Sequence, residues 1–220
     1  MKRSNPKLKD YFIEFLIVLL GITIAFWLSN LGEAKKERAL EKVYLEDLKN
    51  DLQDDLKSLE YSITNNKKKF STLSKGIQYY QGVDNGLTLD SLVNYAGLIG
   101  NYFHFSPNDY TYISLQQSGD FRILSSQELK KSIIELYKLY EFIDVEQLNV
   151  LSALDLNYFP VLMENYDMVT GNVVNPDYFN STFFRNNMGF TLNEVSTLIR
   201  LYTNAKQHLQ SILDHHLKDL

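Results

Sequence analysis

The sequence has no cysteine, and only 4 prolines and 1 tryptophan in 220 residues. Without cysteine there are no disulfides, no thiolate metal centres and no cysteine nucleophile, and the redox compartment stays open. Scarce proline beside 15 tyrosines and 13 phenylalanines argues for packed helices with an aromatic core over a loop-rich fold. No glycine-rich phosphate loop occurs. No serine-hydrolase elbow surrounds Ser118-Gly119-Asp120, which reads as a helix stop and turn. A basic footprint is also missing. Residues 1–30 hold Lys2, Arg3, Lys7 and Lys9 against Asp10 and Glu14, so the remainder carries 18 cations and 25 carboxylates, net −7. That balance excludes nucleic acid as a partner, because phosphates need clustered Lys and Arg.

What is present begins with "YFIEFLIVLLGITIAFWLSN", residues 11–30. Nineteen residues of helix from Tyr11 to Ser29 reach roughly 28 Å, enough for a hydrocarbon core of about 30 Å. A cleaved leader has a shorter apolar run followed by small residues. Ser29-Asn30-Leu31-Gly32-Glu33-Ala34 does not supply them, so an uncleaved anchor is expected. Glu14 lies one turn inside the span, where a carboxylate still reaches the headgroups or a partner. Glu14, Val18, Gly21 and Ala25 follow at spacings of four, three and four and share a face. Gly21 and Ala25 make a small-xxx-small pair that allows close backbone approach in lipid. Two readings stay open: a lone helix with Glu14 at the interface, or a self-associating helix with Glu14 on its seam.

Cations flank the span on both sides, so the positive-inside count is a tie. A short basic tail over residues 1–10 that stays inside places the acidic remainder outside. The expected location is a bacterial inner membrane, single-pass, with the main domain periplasmic and the lipid bilayer as first partner.

Beyond the span the chain reads as all-α. The expected layout is a transmembrane helix (11–30) continuing into a long stalk helix (31–75), then an antiparallel helical bundle (76–220). Leu45, Leu48, Leu52, Leu56, Leu59, Ile63, Phe70, Leu73 and Ile77 recur at threes and fours, with Asn66 in one slot. A coiled-coil stalk or a bundle helix would show this stripe. Glu46, Asp47, Asp51, Asp54, Asp55 and Lys57 read as the solvated face. Gly76, Gly82 and Gly86 read as the helix end.

Three helix starts are expected further on. Ser106-Pro107-Asn108-Asp109 reads as a cap with proline at the first helical position, opening a helix that stops at Gly119. Ser125-Ser126-Gln127-Glu128 and Thr191-Leu192-Asn193-Glu194 read as capping boxes. Pro160 should kink or end the second of these helices. Residues 168–190 read as a looser connection.

Two stretches carry a resemblance. In "EFLIVLLGITIAFWLSN", Glu14, Gly21 and Ala25 stand at matching positions. In "TYISLQQSGDFRILSSQELKKSIIELY", residues 111–137, Thr111, Tyr112, Leu115, Ser118, Gly119 and Ile123 do. Both resemble an uncharacterised family of single-span membrane proteins of Bacteroidota, a domain of unknown function. Leu31 stands where that family often has tryptophan, and Trp27 lies a turn earlier. The resemblance implies a shared architecture and no known activity.

Candidate chemistry is thin. His208, Asp214, His215, His216 and Asp219 form the one metal-like grouping, but solvated histidines also sit well at a helix C-terminus. His104 reads as part of an aromatic cluster. Neither a metal site nor a cofactor nor catalysis is expected. The expected function is a membrane-anchored helical scaffold or accessory module that forms a homo-oligomer or binds envelope protein partners. The alternative is an extracytoplasmic ligand-sensing domain signalling through its span with a partner, because ten residues before the span are too few for an output domain.

Overall fold

A computed structural model describes residues 8–218. The N-terminal part of the expected basic tail, residues 1–7, and Asp219 lie outside the described residues. The fold is all-α, and no strand forms among the described residues; one isolated bridge pairs Tyr166 with Val173. Helix α1, Leu8–Tyr80, is 73 residues long, about 110 Å at about 1.5 Å per residue. Around it pack α2 (Leu89–Gly100), α3 (Tyr110–Ser118), α4 (Gln127–Ala153), α5 (Phe159–Asn165) and α6 (Thr182–His216).

Residues 10–40 of α1 are exposed all round. This is the one helix among the described residues long and apolar enough to cross a membrane. From Tyr44 onward α1 is the bundle's central helix, so its apolar stripe is filled from within the same chain. Leu48, Leu52, Leu59 and Ile63 join Leu115, Ile133, Leu136, Leu209 and Ile212 in a first core. Leu73 joins Leu92, Ile99, Tyr158, Phe184 and Met188 in a second, farther from the apolar segment. Helix α4 runs in the direction of α1, from the Ser125 contact with Glu41 to Val150 beside Leu73. Helix α6 runs antiparallel, passing Lys206–Glu60 at 2.8 Å and ending with Leu217 in the first core.

Several local signals resolve differently from the sequence reading. Helix α1 continues through Gly76, which is buried against Tyr95 and Met188, and stops at Tyr80. The stop itself is a Schellman motif. Gly82 has φ 79°, its N–H donates to Tyr79 C=O, and Val83 N–H donates to Gln78 C=O, both at 3.0 Å. Helix α2 was not anticipated, because its reciprocal cap pairs Thr88 with Ser91 instead of Glu or Gln. Pro107 does not open α3, which starts three residues later at Tyr110. Gly119, with φ 75°, ends α3 as expected.

Ser126 caps α4, its Oγ accepting from Leu129 N–H at 3.1 Å, with no reciprocal bond from Glu128. At Pro160 the helical path does not end, but regular α-helix gives way just before it. A π turn, Leu154–Tyr158, closed by Phe159 N–H to Leu154 C=O, carries α4 into α5, whose first turn holds the proline. The wider π turn suits the proline, which has no N–H to close an ordinary bond to the residue four before it. Helix α6 starts nine residues before the expected box. Ser181 Oγ accepts from Phe184 N–H at 3.1 Å, and Thr191 is buried in mid-helix at 1% exposure.

Candidate functional site

Two places merit attention: the apolar face of α1, and the junction where an irregular segment threads the bundle.

Glu14, Val18, Gly21 and Ala25 all lie exposed on α1. A Cβ on Gly21 would meet nothing within 4 Å. Thr23 keeps its hydroxyl satisfied within the helix, donating to Leu19 C=O at 2.8 Å. Among the described residues, these side chains make no hydrogen bond or ion pair to another element.

The junction involves residues 101–109, which connect α2 to α3 between the two cores. Phe105 is buried and its neighbours are partly or fully exposed, so the backbone turned inward needs partners other than water. Polar side chains from distant helices supply them. From α1, Ser62 Oγ donates to His104 C=O at 2.8 Å, and Asn66 Nδ2 to Phe103 C=O at 2.7 Å. Lys69 Nζ donates to Ile99 C=O at 3.1 Å and to Asn101 C=O, capping the carbonyl end of α2. Lys69 is 3% exposed, and burial pushes its ammonium down to about 8. From α4, Gln147 holds Phe105 at both ends. Its Oε1 accepts Phe105 N–H at 2.7 Å, and its Nε2 donates to Phe105 C=O at 3.0 Å. Tyr202 of α6 donates its hydroxyl to the same Oε1.

At the start of α3 two α1 carboxylates take over. Asp55 Oδ1 accepts Asn108 N–H at 2.7 Å, and Asp51 Oδ2 accepts Thr111 N–H at 3.2 Å. Asp109 makes no side-chain cap, so Asp51 caps α3 from another helix. Tyr137 of α4 donates to Asn108 C=O at 2.9 Å. Asp55 is 1% exposed, not solvated as its place in a charged row implied. Burial raises its carboxyl to about 7, with Asp51 and Asp109 adding to the rise. The Tyr140 hydroxyl lies beside the carboxylate, yet neither it nor Asp55 Oδ2 has a hydrogen bond of good geometry.

Outside this junction lies a groove of about 640 Å³. Asp109, Glu141 and Asp144 line it together with Tyr110, Tyr112 and Tyr137.

The motif residues Thr111, Tyr112, Leu115, Ser118, Gly119 and Ile123 all belong to this region, and their roles are ones of packing. Tyr112 stacks on Tyr137 with centroids 4.0 Å apart. Leu115 is fully buried, Ile123 partly so. Ser118 Oγ donates to Ser114 C=O at 2.8 Å and accepts Asp120 N–H at 3.2 Å, which ties it into the turn. Together they fix how α3 docks and where it stops. His104 stacks on Tyr102 with ring centroids 5.7 Å apart and is otherwise exposed, at the edge of the bundle instead of within an aromatic cluster. His208, Asp214, His215 and His216 do not converge; among the described residues no three His, Asp or Glu side chains come together to hold a metal.

Sequence reasoning missed Asp55, Lys69 and Gln147. A signal existed for all three: Gln147 falls between Ile143 and Val150 at spacings of four and three. Asp55 falls between Leu52 and Leu59 at spacings of three and four, and Lys69 between Asn66 and Leu73 likewise. A polar residue in phase with a core stripe is buried with the stripe.

No curated protein and no solved structure matches the chain. One family profile does match, over residues 14–160 and so two thirds of the chain, from Glu14 of the apolar helix through the threaded junction to the end of the π turn: the chain belongs to the family described as "Family of unknown function (DUF6090)".

Proposed function

We propose that the protein is a membrane-anchored, non-catalytic helical module of the bacterial inner membrane. Residues 11–30 span the bilayer, residues 1–10 stay in the cytoplasm, and the acidic bundle stands in the periplasm. Its spans associate through Glu14, Val18, Gly21 and Ala25, and the paired bundles receive envelope protein partners. The Glu-led span and the Thr111–Ile123 pattern are the marks by which we relate it to single-span proteins of Bacteroidota.

One geometric observation carries the reading. At about 100° per residue, the Glu14–Ala25 face points roughly 150° away from the row Leu48, Leu52, Leu59 and Leu73 on the same helix. The first row lies in the segment of α1 that is exposed all round, the second is packed in the cores, and the helix between them is unbroken. On this geometry, two copies meeting along the first face would turn their Leu48–Leu73 rows away from each other.

The test uses the full chain in lipid vesicles. Gly21→Leu should abolish or strongly weaken span association, because packing in lipid depends on close backbone approach. Glu14→Gln, which keeps hydrogen-bonding capacity of about 0.6–2 kcal/mol across helices, should weaken it mildly. Leu20→Ile should leave it unchanged. Gly21 touches nothing within one copy, so a change reports on association and not on folding. Equal association of wild type and Gly21→Leu discards the seam. Protease reaching exposed Lys57 only from the cytoplasmic side discards the orientation.

A second reading draws on the groove at the start of α3: a ligand-sensing domain that signals through its span with a partner. A ligand bound there would alter protection of residues 106–116 against hydrogen exchange, which span pairing alone would not.

A further inference from the structure

We propose that the groove between the start of α3 and α4 is a binding site for a small organic cation that carries two or more amino or guanidino groups. The proposal deepens the second reading above and rests on its groove, not on the association of spans.

The groove holds about 640 Å³, inside the range of about 300–1,000 Å³ that small-molecule sites occupy. Asp109 borders it from the start of α3, and Glu141 and Asp144 border it from one face of α4. Among the described residues no Lys, Arg or His lines it, and none of the three carboxylates forms an ion pair. A cleft lined by one sign of charge concentrates ions of the other.

Tyrosine rings supply much of the remaining wall. Tyr112 stacks on Tyr137 with centroids 4.0 Å apart, and Tyr110 is 78% exposed at the groove. A cation over a tyrosine face is attracted by the ring's quadrupole. Burial raises the phenols of Tyr112 and Tyr137; Glu141 adds to the rise at the first, and Asp55, Asp51 and Asp109 add to it at the second. Both rings therefore stay neutral, in negative surroundings.

The hydrogen-bonding capacity left over is for accepting. The Tyr137 hydroxyl is spent on Asn108 C=O, and Asn108 N–H is spent on Asp55. Tyr140 is 3% exposed at the base of the groove, and its oxygen accepts from no donor among the described residues. An ammonium or guanidinium, which only donates, suits a lining of carboxylates and unspent oxygens.

The spread of the charges selects an extended ligand over a single metal ion. Among the described residues no three His, Asp or Glu side chains come together to hold a metal. A divalent ion needs such convergence, because its oxygen ligands lie within about 2.6 Å of it. A longer organic cation does not, and it can meet Asp109 on one wall and the α4 pair on the other.

The test uses the full chain in non-ionic detergent, with spermidine as the probe. Isothermal titration should show one saturable site, and residues 106–116 should gain protection against hydrogen exchange. Glu141→Gln or Asp144→Asn should weaken binding about two- to fivefold each, and the triple variant with Asp109→Asn by more than about tenfold. Tyr110→Leu should weaken it about two- to fivefold, and Tyr110→Phe should preserve it. Asp214→Asn removes the same charge outside the groove and should bind as wild type. The three carboxylates have no ion-pair partners to lose, so the triple variant should keep its helical circular dichroism. If it does not fold, equal binding by Tyr110→Leu and wild type overturns the site. No saturation below about 10 mM in wild type overturns it, as does unchanged affinity in a folded triple variant. Saturable binding of glutarate or magnesium in place of spermidine overturns the ligand class. Binding of a tetralysine peptide without spermidine overturns the small-molecule assignment. Spermidine that binds without changing span association upholds the site and ends the signalling reading.

Discussion

Gln147→Met is expected to destabilise the folded bundle by about 3–6 kcal/mol, measured as a shift in denaturant or thermal midpoint of the full chain in micelles. The substitution keeps the side chain's length and volume, so packing is nearly preserved. What is lost is the polar work of one buried group. Phe105 N–H, Phe105 C=O and the Tyr202 hydroxyl all bond to Gln147. Gln147 is 5% exposed, Tyr202 is fully buried and Phe105 is 1% exposed, so water does not replace the lost partner. Phe105 N–H and C=O are orphaned outright, and the Tyr202 hydroxyl keeps only a long 3.5 Å contact to Phe103 C=O. Each orphaned buried group costs about 1–3 kcal/mol, against a typical stability of about 5–15 kcal/mol. Gln147→Glu separates the hydrogen-bond account from a general intolerance of change. A neutral glutamic acid can still accept from Phe105 N–H and donate to Phe105 C=O, whereas its anion cannot donate. That variant should be tolerated at acidic pH and lose stability as pH rises. A loss below about 1 kcal/mol for Gln147→Met would mean that the threaded segment finds other partners, and the role given to Gln147 would fall.

Gly76→Val should cost about 3 kcal/mol, while Gly97→Ala should gain up to about 1 kcal/mol; opposite signs at two helical glycines. Helix propensity alone favours replacing either, because glycine in a helix interior costs about 1 kcal/mol relative to alanine. Space decides the outcome. A Cβ at Gly76 would lie 2.9 Å from Tyr95 Cε1 and 2.7 Å from Met188 Sδ. The thioether can move, but the Tyr95 ring is 6% exposed and packed in the second core. Overpacking of this kind costs about 1–3 kcal/mol, and valine adds two methyls and gains little propensity. Gly97 is exposed, and a Cβ there meets nothing within 4 Å. Thermal unfolding of the two variants side by side tests this. If Gly76→Val proved neutral, α1 would not be wedged between α2 and α6 as described.

The sequence alone determined the elements whose signal is local. The apolar run of residues 11–30 and the stripe from Leu45 to Ile77 announce helices because burial repeats every three or four residues. Gly119 announced a stop because a left-handed turn favours glycine, and φ 75° is what stands there. An uncharacterised family was expected from short stretches of the chain, and the family match over residues 14–160 agrees with it.

The tertiary structure decided everything that depends on residues far apart in sequence. Capping patterns misplaced α3 and α6, because Thr191 resembles a cap but is buried in mid-helix, while Ser181 performs the task ten residues earlier. The stripe did not say whether a second chain or this one would cover it; α4 and α6 cover it here. Most of all, nothing local marks Phe105 as the buried point of residues 101–109, or says where the backbone around it finds partners. That backbone is satisfied by Ser62, Asn66 and Lys69 from over thirty residues before, and by Gln147 from about forty after. Periodicity reports which face of a helix avoids water. It carries no information about which distant carbonyl a polar residue in that face will meet, and at Asp55 that meeting turns an ordinary surface carboxylate into a buried one.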